Sequence, residues 1–144
     1  MPITILMADD DADDRRLTQE ALEEGRLINE VQFVNDGVEL LDYLRKEGKF
    51  APPAVVHRPG LILLDLNMPR KDGRTVLKEI KNDPALRQIP VVVLTTSKAD
   101  EDIYRSYDLG VNSYIVKPVN FVQFAEVVQK LGLYWLLLNQ PPKL

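Results

Sequence analysis

The chain has 144 residues, 45% hydrophobic and 28% charged, with a formal net charge of -4, one histidine and no cysteine. That length suits one domain able to bury a core. The missing cysteines exclude disulfides, thiolate metal sites and thiol catalysis and accord with the cytoplasm. An acidic chain without a basic run is ill suited to direct nucleic-acid binding.

The N-terminal MPITILMADD has no basic flank and reaches acid too soon for a signal peptide. The longest apolar stretch, Leu131–Leu138, falls far short of the roughly 20 residues that span a bilayer. The expectation is a soluble chain with no membrane partner.

The first predicted strand is Ile3–Ala8, running into Asp9 and Asp10. A helix follows from Ala12 to Gly25, with Leu17, Ala21 and Leu22 inward and a glycine at its end. The second strand, Val31–Val34, alternates apolar and polar residues as an exposed strand does. A second helix carries Leu40, Leu41 and Leu44 at helical spacing. The long connection 46–60 holds Pro52, Pro53 and Pro59 and reads as a surface excursion. Its His57 has no nearby carboxylate or second histidine in the sequence and reads as a solvated loop residue.

The third strand, Leu61–Asp65, is apolar until its last residue, as a strand covered on both faces must be. The third helix carries Val76, Leu77 and Ile80 and stops near Asp83–Pro84, because the residue before proline avoids helical angles. Val91–Thr95 is the fourth strand. Ser97-Lys98-Ala99-Asp100 reads as a capping box for a fourth helix with Ile103 and Tyr107 on one face. Ser113–Val116 is the fifth strand, followed by Lys117 and Pro118. Asn120 caps a fifth helix with Phe121, Phe124, Ala125 and Val128 inward. Strand and helix alternate throughout, which predicts βα units around a parallel sheet.

In a parallel arrangement the polar ends of strands one, three, four and five meet at one sheet edge, where open α/β folds bind ligands. Asp13 and Asp14 fit a helix N-terminus decorated with acid, which the helix dipole favours. Asp9 and Asp10 precede the helix, and Asp65 closes a buried strand, where desolvation opposes ionisation. Two such carboxylates within about 4 Å repel by about 4 kcal/mol at an effective dielectric of about 20. A hard divalent cation with oxygen ligands offsets that cost, and Mg²⁺ suits one or two carboxylates with water and phosphate oxygens. Carboxylates, metal, hydroxyl and ammonium are the parts that phosphoryl transfer uses.

Four segments carry a resemblance: ILMADDDADD, LILLDLNMPRKDG, VVVLTTS and YIVKP, in that order. Asp65 and Thr95 are 30 positions apart, and Thr95 and Lys117 are 22 apart. From Ile3 to about Lys130 the chain resembles the CheY-like receiver domains of two-component response regulators. The resemblance implies a doubly wound (βα)5, flavodoxin-like three-layer α/β sandwich with a parallel sheet of order 2-1-3-4-5. It implies a receiver domain over 1–130 that takes a phosphoryl group from a sensor histidine kinase. Asp65 would be the phosphoacceptor. Asp10 would bind Mg²⁺ directly, Asp9 through water, and Asn67 through its backbone carbonyl. Thr95 would bond a phosphoryl oxygen, with help from the Thr96 N–H, and Lys117 would pair with Asp65 and then with the phosphoryl group. The bond before Pro118 would be cis. Thr95 and Tyr114 would be switch residues, although Tyr114 reads equally well as a strand residue with its hydroxyl in water. Asp11, where many relatives have asparagine, would add negative charge near the metal. Thr96 would shield the acyl phosphate, and Asn67 and Ser97 are candidates for setting its lifetime.

The segment 131–144 forms an apolar extension. Tyr134, Trp135, Leu136, Leu137 and Leu138 are consecutive and cannot all face one core from one helix. They are expected to form an interface, with a homodimer favoured over a fold-back onto the same domain. The long loop, YLRKEGKF and the YWLLL tail resemble stand-alone receivers that partner phytochrome-type histidine kinases.

Two other readings compete. An aspartate-nucleophile phosphatase needs a second acid two residues past the nucleophile, where this chain has Asn67. Nucleotide fingerprints and a G-x-S-x-G elbow are absent. The chain is therefore read as a signalling protein and not an enzyme. A degenerate receiver that acts without phosphorylation conflicts with the intact acids, threonine and lysine.

Overall fold

The computed structural model describes residues 3–68, 70, 71, 73–106, 111 and 113–132. Strands β1 (Thr4–Ala8), β2 (Val31–Val34), β3 (Pro59–Asp65), β4 (Val91–Thr95) and β5 (Ser113–Val116) alternate with five helices. These are α1 (Ala12–Glu24), α2 (Gly37–Arg45), α3 (Gly73–Asn82), α4 (Lys98–Ser106) and α5 (Phe121–Lys130). The strands are parallel and stand in the order β2-β1-β3-β4-β5. This is the expected doubly wound arrangement.

Strand periodicity splits the core into two layers. Leu6, Ala8, Ile62, Leu64 and Val93 join Leu40, Leu41, Val76, Leu77 and Ile80 on the α2–α3 face. Ile5, Met7, Leu61, Leu63, Val92 and Leu94 join Leu22, Phe124 and Val128 on the α1–α5 face. Residues 61–64 are buried on both faces, which is why that run is apolar without alternation. β2 lies at the sheet edge and is only half covered.

Several details differ from the sequence reading. Leu17 is 37% exposed, because the buried stripe of α1 is Thr18, Ala21 and Leu22. Leu17 lies about 100° around the helix from Thr18. On α5 the stripe is Phe124, Val127 and Val128, leaving Phe121 and Ala125 half-buried. Ile103 is 50% exposed, and Tyr107 lies outside the described residues. Gly25 has an ordinary φ of -78°, and the left-handed residue after α1 is Arg26 at φ 61°. Close packing accounts for the glycine, since a Cβ there would stand 2.0 Å from the Phe121 ring.

The connection into β3 is pinned to the domain. Phe50 packs edge-on against Tyr43 with centroids 5.1 Å apart. The Tyr43 hydroxyl donates to the His57 carbonyl at 2.9 Å. His57 does have a carboxylate beside it, with Nδ1 3.3 Å from Glu30 Oε2. Glu30 is 27 positions away in sequence and is brought near by the fold. The pair is solvent-facing, so His57 remains a surface loop residue. No helix among the described residues is long and apolar enough to cross a membrane.

Candidate metal and phosphoryl site

The strand register builds the site. Ala8 pairs with Leu64, Asp65 with Leu94, and Thr95 with Val116. The residues at and just beyond these pairs converge at the C-terminal edge of the sheet. One carboxylate oxygen from each of Asp9, Asp10 and Asp65 lies within 4.8 Å of the others. Asp9 and Asp65 are buried and Asp10 is exposed, so the cluster has a wet side and a dry side. Lys117 follows β5 directly, and its bond to Pro118 is cis. Its Nζ lies 3.2 Å from Asp65 Oδ2, 3.4 Å from Asp9 Oδ2 and 2.7 Å from Asp14 Oδ2.

Asp14 is the residue that sequence reasoning misses. The helix dipole accounts for it locally, yet it makes the shortest of the Lys117 contacts. Its position in the first turn of α1, five residues after Asp9, is the available signal. Asp11 has a structural role besides the negative charge expected of it near the metal. Its side chain caps α1 by accepting from the Asp13 and Asp14 N–H groups at 2.8 and 3.1 Å. The Asp11 N–H in turn donates to Asp9 Oδ1 at 2.9 Å. Asp11 therefore positions the loop, and its carboxylate is not part of the three-acid cluster.

Three carboxylates surround one ammonium. Burial pushes Asp9 up to about 6; the neighbouring charges of Asp65 and Asp14 add to that, and the Asp11 N–H and Lys117 oppose it. Burial also works against the Lys117 ammonium, but Asp14, Asp65 and Asp9 outweigh it and raise its pKa above the ordinary lysine value. Asp65 Oδ1 accepts from the Asn67 N–H at 2.9 Å, which fixes the carboxylate while Lys117 holds the other oxygen. A site with excess negative charge, oxygen donors and one open side fits a hard divalent cation. Asp9, Asp10 and Asp65 are the residues that would hold it.

The hydroxyl groups are engaged elsewhere. Thr95 is buried and its hydroxyl donates to the Ser97 carbonyl at 3.3 Å. The Thr96 hydroxyl donates to the Asp100 carboxylate. Thr95 must release Ser97 before it can donate to a group on Asp65. Tyr114 is 6% exposed, with the Arg105 guanidinium 4.4 Å from its ring centroid. The Tyr114 ring is therefore covered by the domain and by Arg105. The segment 134–138 lies outside the described residues.

Known proteins share this arrangement of strands. The response regulator Rcp1 of Synechocystis sp. is 43% identical over 135 residues, covering 94% of this chain and 90% of its own. Its Mn²⁺-bound structure superposes with a TM-score of 0.73 at 42% identity, covering 99% of this chain and all of that one. The bacteriophytochrome response regulator RtBRR superposes with a TM-score of 0.87 at 46% identity, over 99% of this chain and 85% of that chain. The phosphorylated cyanobacterial phytochrome response regulator RcpA is 49% identical with a TM-score of 0.73, over 94% and 95% of the two chains. The family model for the response regulator receiver domain matches residues 5–129. The chain therefore belongs to the response regulator receiver-domain family.

Proposed function

We propose that Asp65 is the phosphoacceptor of this receiver. A carboxylate oxygen of Asp65 attacks the phosphorus of a phosphohistidine on a sensor histidine kinase. The P–N bond breaks, the histidine nitrogen keeps the electron pair, and an acyl phosphate forms on Asp65. Asp9, Asp10, Asp65 and the Asn67 carbonyl hold Mg²⁺, which neutralises charge on the transferring group when bound. Lys117 exchanges its Asp65 contact for a phosphoryl oxygen. Thr95 leaves the Ser97 carbonyl to donate to another oxygen, the Thr96 N–H assists, and Tyr114 occupies the space Thr95 vacates. The observation that carries this reading is the clustering of Asp9, Asp10 and Asp65 around one edge with Lys117 between them.

The partner is a phytochrome-type histidine kinase, a reading supported by the phytochrome response regulators among the similar structures. The receiver domain spans 1–130, and the extension 131–144, with Tyr134, Trp135, Leu136, Leu137 and Leu138, forms a homodimer interface. The protein acts in the cytoplasm as a signalling switch, not an enzyme, and does not bind nucleic acid.

Mass spectrometry after acetyl phosphate treatment tests the central claim. Wild-type chain should gain one phosphoryl group in Mg²⁺ and none in chelator. Asp65→Asn should gain none, and labelling at the wild-type level would refute the assignment.

A further inference from the structure

Helix α4 is attached to the domain in an unusual way. Amphipathic helices turn an apolar stripe to the core. Among the described side chains of α4, the only buried one is Glu101, at 6% exposure. Burying a carboxylate is costly unless cations accompany it. Two do: Lys98 Nζ bonds Glu101 Oε2, and Arg105 Nη2 lies 3.4 Å from Glu101 Oε1. Burial opposes ionisation of Glu101, but Lys98 and Arg105 together hold its pKa below the ordinary carboxylate value.

The arrangement makes sense once Arg105 is followed to its other contact. Its guanidinium lies 4.4 Å from the centroid of the Tyr114 ring, within the range of a cation–π interaction. Glu101 thus fixes a planar cation over an aromatic ring on β5. The opposite end of α4 is tied to the strand end that carries Thr95: Thr96 bonds Asp100, and Ser97 Oγ accepts from the Asp100 N–H at 3.1 Å. One helix therefore reaches toward both residues of the threonine–tyrosine exchange.

We propose that Arg105, oriented by the buried carboxylate of Glu101, is a positioning residue that clamps the Tyr114 ring inward and thereby sets how readily phosphorylation shifts the α4–β5 surface. The inference rests on the reading of Tyr114 given above. There the ring moves into the space Thr95 vacates on phosphorylation; here it is already buried while Thr95 still bonds Ser97, so the clamp favours the phosphorylated arrangement before phosphorylation. Removing the clamp shifts the population toward an outward ring, and a ligand of the inward state then binds with lower apparent affinity.

The test compares wild type with Arg105→Met, Arg105→Lys and Glu101→Gln, each carrying ¹³C-labelled tyrosine rings. Each is titrated with beryllofluoride in Mg²⁺. Without beryllofluoride, Arg105→Met should move the Tyr114 ring resonances toward solvent-exposed values. Its apparent beryllofluoride affinity should fall about two- to fivefold, the range of an exposed cation–π contact, while Mg²⁺ affinity stays at the wild-type value. Glu101→Gln should shift both readouts in the same direction by less, and Arg105→Lys should fall between wild type and Arg105→Met. Unchanged Tyr114 resonances, or an unchanged or tighter beryllofluoride affinity in Arg105→Met, would overturn the proposal. A wild-type chain that ignores beryllofluoride would instead remove the Asp65 reading, and the ring resonances would still decide the Arg105 contact.

Discussion

Helices α3 and α4 each come after a strand of the same sheet and differ in length by one residue, yet their described side chains are held by different physics. α3 turns Val76, Leu77 and Ile80 into the core, all at or near zero exposure. It also sits close to the chain, for a Cβ on Gly73 would stand 2.5 Å from the Leu66 Cα. α4 presents Glu101 inward and leaves Ile103 half exposed. Apolar burial falls off abruptly when packing is disturbed, whereas ion pairs and ring contacts re-form after a small shift. Elements that move are drawn from the weakly anchored part of a fold. The contrast separates a helix that keeps the sheet in register from one that can respond to chemistry at the strand ends.

The strongest way to break this contrast is truncation on both helices. Ile80→Ala should cost about 2–5 kcal/mol in denaturant unfolding, the loss of a buried side chain with a cavity left behind. Ile103→Ala should stay within about 0.5 kcal/mol of wild type. Comparable losses at both positions would mean that α4 is anchored by apolar packing after all.

A second perturbation addresses the charged edge. Lys117→Met leaves Asp9, Asp14 and Asp65 without their shared ammonium, and removing one partner of a buried ion pair costs about 3 kcal/mol. Thermal unfolding in chelator should show that deficit. Saturating Mg²⁺ should narrow it, because acids relieved of the competing ammonium bind the cation more tightly than in wild type and so gain more stability by mass action. A deficit that Mg²⁺ leaves unchanged would place the cation away from these acids.

The alternating strands and helices and the converging acids are legible in the sequence because they depend on apolar runs and on the polar residues that close them, whereas the strand order and the cis bond before Pro118 follow only from the family resemblance. The exposure of Leu17 and the half-burial of Ala125 are not legible. Each lies one helical step from the buried stripe, and periodicity alone does not fix which edge of a stripe faces the sheet. Gly25 reads as a helix stop, but its cause is the Phe121 ring, 96 positions away in sequence. Asp14 and Glu30 share that character, since their partners Lys117 and His57 are distant in sequence. Local pattern finds residues that would be chemically odd elsewhere, such as Asp65. It passes over a residue whose local role is already satisfying, as a first-turn acid is.

The smallest expected effect concerns Asp9 and isolates the cost of the clustered charge. Its pKa is raised from 3.8 to about 6, first by burial. The folded state therefore binds a proton more readily than the unfolded state between these values. Stability from this group is fully present below about pH 4 and is lost as pH rises through about 6. Lowering pH from about 7 to about 5 in chelator should thus stabilise wild type by about 1 kcal/mol relative to Asp9→Asn. Glu101 does not blur the window, because its pKa is lowered from 4.5 and its contribution is lost only at more acid pH. Saturating Mg²⁺ should reverse the slope, since a metal-bound carboxylate must stay ionised and protons then compete with the cation. Unfolding at the two pH values, with and without Mg²⁺, measures all four terms. A slope that ignores Mg²⁺ would show that Asp9 titrates outside the reach of the metal.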